Sequence, residues 1–74
     1  EPCIAVVRIT ADSNINKVKS ILKGTVKSMI VKDDYIEITA EMKNIPSKAV
    51  VDQLNSEVRV INMSFVKYNG DYAL

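Results

Sequence analysis

The stretch VRVINMSFVKYNGDY, residues 58–72, decides the fold expected of this chain. It is the longest run of β-prone residues, and it follows the second of two short helical patterns. It contains Asn69-Gly70, a pair that favours a tight type I′ turn, so the residues behind that turn either fold back as a short edge strand or fray. We therefore predict a long last strand that closes against the elements before it.

The apolar residues of this strand change phase along its length. Val58 and Val60 share one parity, whereas Ile61, Met63 and Phe65 share the other. We predict that Val58 fills the loop between helix and strand. The row that faces the core is then Ile61, Met63 and Phe65, because alternate residues of a strand lie on one face. A β-bulge near Val60 is the alternative.

Length and composition predict one small globular domain over residues 1–74, near the lower size at which a single core holds a fold. The net charge of +1 has no basic excess, which disfavours nucleic acid as a partner. The chain has one cysteine and no histidine, which excludes an internal disulfide and a paired-thiol site. We predict that Cys3 is a small apolar residue of the first strand, and we predict no metal and no cofactor.

The first third of the chain predicts a strand and then a helix. Residues 3–11 (CIAVVRITA) are rich in β-branched side chains, and both faces of the strand begin apolar, which favours a central position in a sheet. Asp12, Ser13 and Asn14 each have the side chain to cap the helical pattern that follows. Gly24 stands where the helix is expected to end in a left-handed residue.

The middle of the chain predicts a hairpin. Residues 25–32 form a strand of weak alternation, whereas residues 35–42 alternate cleanly between apolar and polar side chains. The short turn between them makes the pair antiparallel. A second helix begins after Pro46, with Ser47 as an N-cap, and leads into the last strand.

The resulting order is strand, helix, strand, strand, helix, strand. Two right-handed βαβ units of this kind interleave into an α+β, ferredoxin-like βαββαβ sandwich. We predict a four-stranded antiparallel sheet with both helices on one face. Strands one and three are expected in the centre, and strands two and four at the edges.

Catalysis is disfavoured by the residue types at hand. Glu37 and Glu41 are candidates for acid–base work, but they alternate along the polar side of a strand and are typical of a solvated face. The loop at residues 10–14 has neither the glycines that cradle an anion nor a thiol pair. The outward side chains of strands one and three include none that stacks well on a base. We predict that the protein is not an enzyme.

The sheet face without helices is the stronger candidate for a binding surface. Ile4 and Val6, with Val66 and Tyr68 of the neighbouring last strand, are predicted to form an apolar interface there. The alternative is that these side chains are scattered and shielded by Arg8 and the glutamates. The expected partners are a second copy of the chain or a domain of a parent protein.

The predicted arrangement resembles an ACT or ACT-like regulatory domain. In that family the loop between the first strand and the first helix binds small effectors. The resemblance implies a ligand site at Asp12, Ser13 and Asn14 and a small-molecule effector as partner. The chain differs from the family in lacking an Asp-x-x-Gly turn before its first helix.

A second resemblance is to soluble tails that follow the transmembrane helices of certain bacterial membrane proteins, of the MgtC/SapB family and the DUF4956 type. The shared features are a strand ending in EITA (37–40), a helix containing VVDQL (50–54), and a V-x-x-I-x-M-x-F strand (58–65). This resemblance implies a non-catalytic regulatory or interaction domain on the cytoplasmic side of the membrane. The absent initiator methionine agrees with a soluble fragment excised from a longer, transporter-like chain. The alternative is an effector-binding ACT domain of a metabolic enzyme.

Overall fold

A computed structural model describes residues 2–67 and contains six elements in the predicted order. These are β1 (Cys3–Thr10), α1 (Ile15–Leu22), β2 (Thr25–Val31), β3 (Tyr35–Met42), α2 (Lys48–Glu57) and β4 (Val60–Lys67). The strands form one antiparallel sheet in the order β2-β3-β1-β4. The ferredoxin-like α+β fold is confirmed, with β1 and β3 in the centre and β2 and β4 at the edges. Neither described helix has the length and the apolar composition to span a bilayer.

The core forms on one face of the two central strands. In β1 and β3 every second residue is buried, and the buried rows of the two strands lie opposite each other, for example Val7 opposite Ile38. These rows pack with Val18 of α1 and Leu54 of α2. Because a slip of one residue would turn either row to the other face, the clean alternation determines the register of this pair.

Helix α1 ends differently from the prediction. Asn14 caps its start as expected, since its side-chain oxygen accepts a hydrogen bond from the N–H of Asn16 at 2.9 Å. At its end the left-handed residue is Lys23, with φ of 56°, and not Gly24, so the predicted glycine cap is wrong. Gly24 instead passes so close to β3 that a Cβ there would lie 2.8 Å from the backbone oxygen of Glu41.

Helix α2 is attached to the core mainly by one side chain. Ser47 caps its start by accepting a hydrogen bond from the N–H of Val50. Leu54 is the helix residue that is fully buried. Val58, directly after the helix, is buried as well and donates its N–H to the oxygen of Leu54 at 2.9 Å. The prediction that Val58 fills the helix-to-strand loop is confirmed.

Strand β4 contains the bulge that was the alternative expectation. Ile9 of β1 lies opposite Val60, whereas Arg8 lies opposite Asn62, so the ladder gains one residue between them. Ile61 is that extra residue and is 49% exposed, and its predicted inward position is wrong. The side chains of β4 that pack on the core are Val60, Met63 and Phe65. The bulge thus absorbs the change of phase seen in the sequence.

Candidate functional site

The loop between β1 and α1 forms a small hollow at the predicted effector site. Asp12, Ser13 and Asn14 line it together with Glu57 and Arg59, which precede β4. Its volume is about 220 Å³. The structure therefore brings the three predicted ligand-binding residues together and adds a cation, Arg59, that lies far away in the sequence.

The polar groups of this loop are largely engaged with one another. The hydroxyl of Thr10 donates to Oδ1 of Asp12 at 2.7 Å, and it lies 2.8 Å from the hydroxyl of Ser13. The pKa of Asp12 is lowered, first by the Thr10 hydroxyl, then by its own backbone N–H, and further by the charge of Arg59. Nη1 of Arg59 lies 3.9 Å from Oδ2 of Asp12, and both side chains are exposed. The hollow thus presents an ionised carboxylate beside a solvated guanidinium.

A second and larger hollow of about 460 Å³ lies between α1 and α2. Ile21, Met42 and Val50 contribute apolar lining. An ion pair also lines it, with Nζ of Lys17 at 3.0 Å from Oε1 of Glu57. Hydrogen bonds from Gln53 and Lys17 lower the pKa of Glu57. Sequence reasoning missed this hollow, because its two charged residues lie forty positions apart and carry no shared motif.

The open face of the sheet carries the predicted interface residues. Ile4 lies directly opposite Val66 in the β1–β4 ladder, and Val6 lies two residues further along the same face of β1. Ile4 and Val6 are half-buried, whereas Val66 is 48% exposed. These three residues form one apolar cluster. Tyr68, the fourth predicted member, and the Asn69-Gly70 turn lie outside the described residues.

A polar group borders this cluster in the middle of the face. Arg8 donates from Nη2 to Oε1 of Glu37 at 2.9 Å, and its guanidinium lies 4.2 Å from the centre of the Tyr35 ring. The hydrogen bond to Glu37 is the main reason why the pKa of Arg8 is raised. Nε of Arg8 is covered and has no acceptor among the described residues. Arg8 and Glu37 lie opposite each other in the β1–β3 ladder, so only the register of the strands makes them partners.

Cys3 is buried at the start of β1, as predicted. Burial raises the pKa of its thiol, and Sγ donates a weak hydrogen bond to the oxygen of Asn44 at 3.6 Å. Among residues 2–67, no group of three or more cysteine, histidine or acidic side chains is placed to hold a metal ion.

Comparison of the chain with family models, with curated proteins and with solved structures gave no match. The resemblance to ACT domains and to the tails of bacterial membrane proteins therefore stays a prediction, together with the roles that it implies for individual residues.

Proposed function

We propose that this chain is a non-catalytic interaction or regulatory domain on the cytoplasmic side of a membrane, within a longer, transporter-like membrane protein. The observation that carries the proposal is the apolar cluster of Ile4, Val6 and Val66 on the open face of the sheet. Contiguous apolar surface of this kind marks contact sites for partners. The occupant that we propose for it is another segment of the parent protein.

The condition of the charged groups supports a role other than catalysis. Glu37, one of the two carboxylates considered for acid–base chemistry, is held by Arg8 in an ion pair. Glu41, the other, lies 4.0 Å from the Nζ of Lys27 on the neighbouring strand. Carboxylates fixed in cross-strand ion pairs stabilise a sheet, whereas a general base requires access to a proton of its substrate.

The alternative is a regulatory ACT domain that binds a small effector. The hollow formed by Asp12, Ser13 and Asn14 favours this candidate, because Asp12 and Arg59 place opposite charges at its rim. A zwitterion such as a free amino acid matches that pair of charges. The loop differs from a ready-made site in that Asp12 and Ser13 already bond to Thr10.

A thermal-shift screen against amino acids and nucleotides separates the two candidates. A ligand that binds the folded state raises the melting temperature in proportion to the logarithm of its concentration. We expect no compound to raise the melting temperature of this domain. A rise that Asp12→Asn abolishes, without a change in the melting temperature of the unliganded protein, would establish the effector-binding alternative.

Site-specific photocrosslinking tests the proposed occupant of the open face. A photoreactive amino acid replaces Val66 in the full-length protein in its native membrane, and the same amino acid at Ala49, exposed on α2, is the control. We expect position 66 to crosslink to peptides of the same protein from outside residues 1–74. Equal yields from the two positions would contradict a docking site on this face. The reading frame upstream of Glu1 gives an independent check, since the proposal requires several hydrophobic spans there.

A further inference from the structure

Strand β2 differs from the rest of the molecule in the apolar surface that it leaves uncovered. Met29, Ile30 and Val31 are consecutive, and their exposed fractions are 45%, 43% and 66%. Met29 and Val31 lie opposite the buried residues Ile38 and Ile36 of β3, so they share the helix side of the sheet but remain uncovered at its edge. Ile30 lies on the opposite side. The edge therefore exposes apolar side chains on both faces.

This edge lacks the features that normally prevent strands from pairing between molecules. Protective edges contain charges, prolines or bulges. In β2 a bulge lies between Val26 and Ser28, at Lys27, but Ser28 to Val31 pair with β3 in an unbroken register and carry no charge and no proline. The other edge, β4, has its own bulge at Ile61 and alternates apolar residues with Asn62 and Ser64. The unprotected edge is thus the second half of β2.

The hydrogen-bonding groups of this half-strand can be assigned from its pairing with β3. The N–H of Lys32 donates to the oxygen of Tyr35 at 2.8 Å, which makes these two residues a hydrogen-bonded pair. Because such pairs alternate along an antiparallel ladder, Ile30 also directs its peptide groups towards β3. Met29 and Val31 direct theirs away from the sheet, to the free edge.

We propose that the free edge of β2 binds the β2 strand of a second copy of this chain, antiparallel and centred on Ile30. In this register Met29 of each copy lies opposite Val31 of the other, so both sets of outward peptide groups form hydrogen bonds. The two Ile30 side chains meet at the symmetry axis as a non-hydrogen-bonded pair. The interface is isologous, and the sheet continues from one copy into the next.

The charges at the ends of the strand agree with the same register. A pairing centred on residue 30 lays Lys27 of one copy opposite Asp33 of the other, at both ends of the interface. It also lays Lys32 opposite Ser28, so no like charges oppose each other. A register centred on Met29 would instead lay Lys27 opposite Val31 and lose both features. These complementary charges and peptide groups indicate a second copy as the occupant of the edge.

The size of this contact predicts a weak dimer. A strand of seven residues is about 23 Å long and buries far less than the roughly 1,600 Å² of a standard interface. We expect a dissociation constant on the order of 0.1–1 mM for the isolated domain. Two copies held close together by a larger assembly would pair more completely. The inference goes beyond the proposed function, because it uses a different surface from the open-face cluster.

Disulfide crosslinking tests the register directly. At a non-hydrogen-bonded antiparallel pair the Cα atoms are about 4.5 Å apart, within the range that a disulfide requires. We expect Ile30→Cys to form a covalent dimer under mild oxidation at least ten times faster than Met29→Cys. The two copies of residue 29 lie about 8–9 Å apart in this register, beyond the limit for a disulfide. Wild-type protein, with its buried Cys3, is the background control.

Two outcomes of this experiment would overturn the proposal. Ile61→Cys places a thiol of similar exposure on the other edge, at 49% against 43% for Ile30. Equal rates for Ile30→Cys and Ile61→Cys would show random collision. A faster reaction of Met29→Cys would show a different register.

Sedimentation velocity supplies a second measurement that needs no covalent bond. We expect wild-type protein to form dimers as its concentration approaches about 1 mM. Ile30→Lys should abolish the dimer, since it places two like charges opposite each other at the axis, whereas Ile61→Lys should leave it unchanged. Thermal melts of both variants establish that they fold. A wild-type monomer at every concentration would refute the dimer without bearing on crosslinking from position 66, which tests the proposed function separately.

Discussion

The end of helix α1 allows the assignment of roles to Lys23 and Gly24 to be tested by exchanging them. Lys23 occupies the left-handed region, with φ of 56° and ψ of 32°, and its N–H donates to the oxygen of Lys19 at 3.0 Å. This conformation costs a residue with a Cβ about 1–2 kcal/mol. Lys23→Gly removes that strain, but it adds about 0.4–1 kcal/mol of conformational freedom to the unfolded chain. We expect a net gain in unfolding free energy of up to about 1 kcal/mol.

The opposite sign is expected one residue later. In Gly24→Ala the new Cβ would lie 2.8 Å from the backbone oxygen of Glu41 and 3.0 Å from Cγ of Met42. That oxygen belongs to the central strand β3, where Glu41 pairs with Thr25, so the strands must separate to admit a methyl group. Overpacking of this kind costs about 1–3 kcal/mol. After the gain from a less flexible unfolded chain, we expect a net loss of about 1–2 kcal/mol.

Urea denaturation and thermal unfolding measure both changes. For a domain of this size, 1 kcal/mol corresponds to a shift of about 4–8 °C in melting temperature. The slope of the urea transition should stay unchanged, because neither substitution alters the area exposed on unfolding. If Gly24 were the left-handed residue, Lys23→Gly would place a glycine inside the helix and lower the stability by about 1 kcal/mol. A lower urea midpoint for Lys23→Gly therefore refutes the reasoning.

Three further outcomes are expected. Leu54→Ala should cost about 3–5 kcal/mol, a large share of the roughly 4–11 kcal/mol available to a domain of 74 residues, and a urea midpoint within error of wild type would contradict the role of Leu54 as the anchor of α2. Cys3 should resist a maleimide in the native protein and react fully in urea, because its thiol is buried and its pKa is raised; rapid native labelling would count against this. The pKa values of Asp12 and Glu57 are lowered on folding, so their contribution to stability is present at neutral pH and is lost as the pH falls below about 4. The double variant Asp12→Asn, Glu57→Gln should flatten this acid loss in unfolding midpoints measured against pH, and an unaltered pH profile would be evidence against the assignment.

Much of the fold could be predicted because local pattern and tertiary position agree in the central strands. The alternation of β3 places Ile36 and Ile38 on one face, and the structure buries both. In β4 the pattern was ambiguous, since a shift in parity is compatible with a plug followed by a strand or with a bulge. Both occur here: Val58 is the plug, and Ile61 is the bulged residue. Only the ladder with β1 decides between inward and outward at residue 61.

The candidate sites show the same division. Adjacent residues such as Asp12, Ser13 and Asn14 could be grouped from the sequence, because a loop keeps neighbours together. The approach of Arg59 to Asp12 and the pairing of Lys17 with Glu57 could not, because both depend on elements that meet only after folding. The exposure of β2 was equally hidden. Its apolar residues resemble a core strand in composition, and they are solvent-exposed because the helices do not extend over that edge.

The amino-acid sequence by itself therefore determined the order of the elements, the antiparallel central pair and one of the two helix caps exactly where side chains act on their nearest neighbours. The tertiary structure alone decided which glycine neighbour is left-handed, which β4 side chain turns outward, and which sheet edge is left unprotected. Those outcomes depend on how closely separate strands approach and on which faces the helices cover. Such distances join residues that are remote in the chain, and no local pattern specifies them.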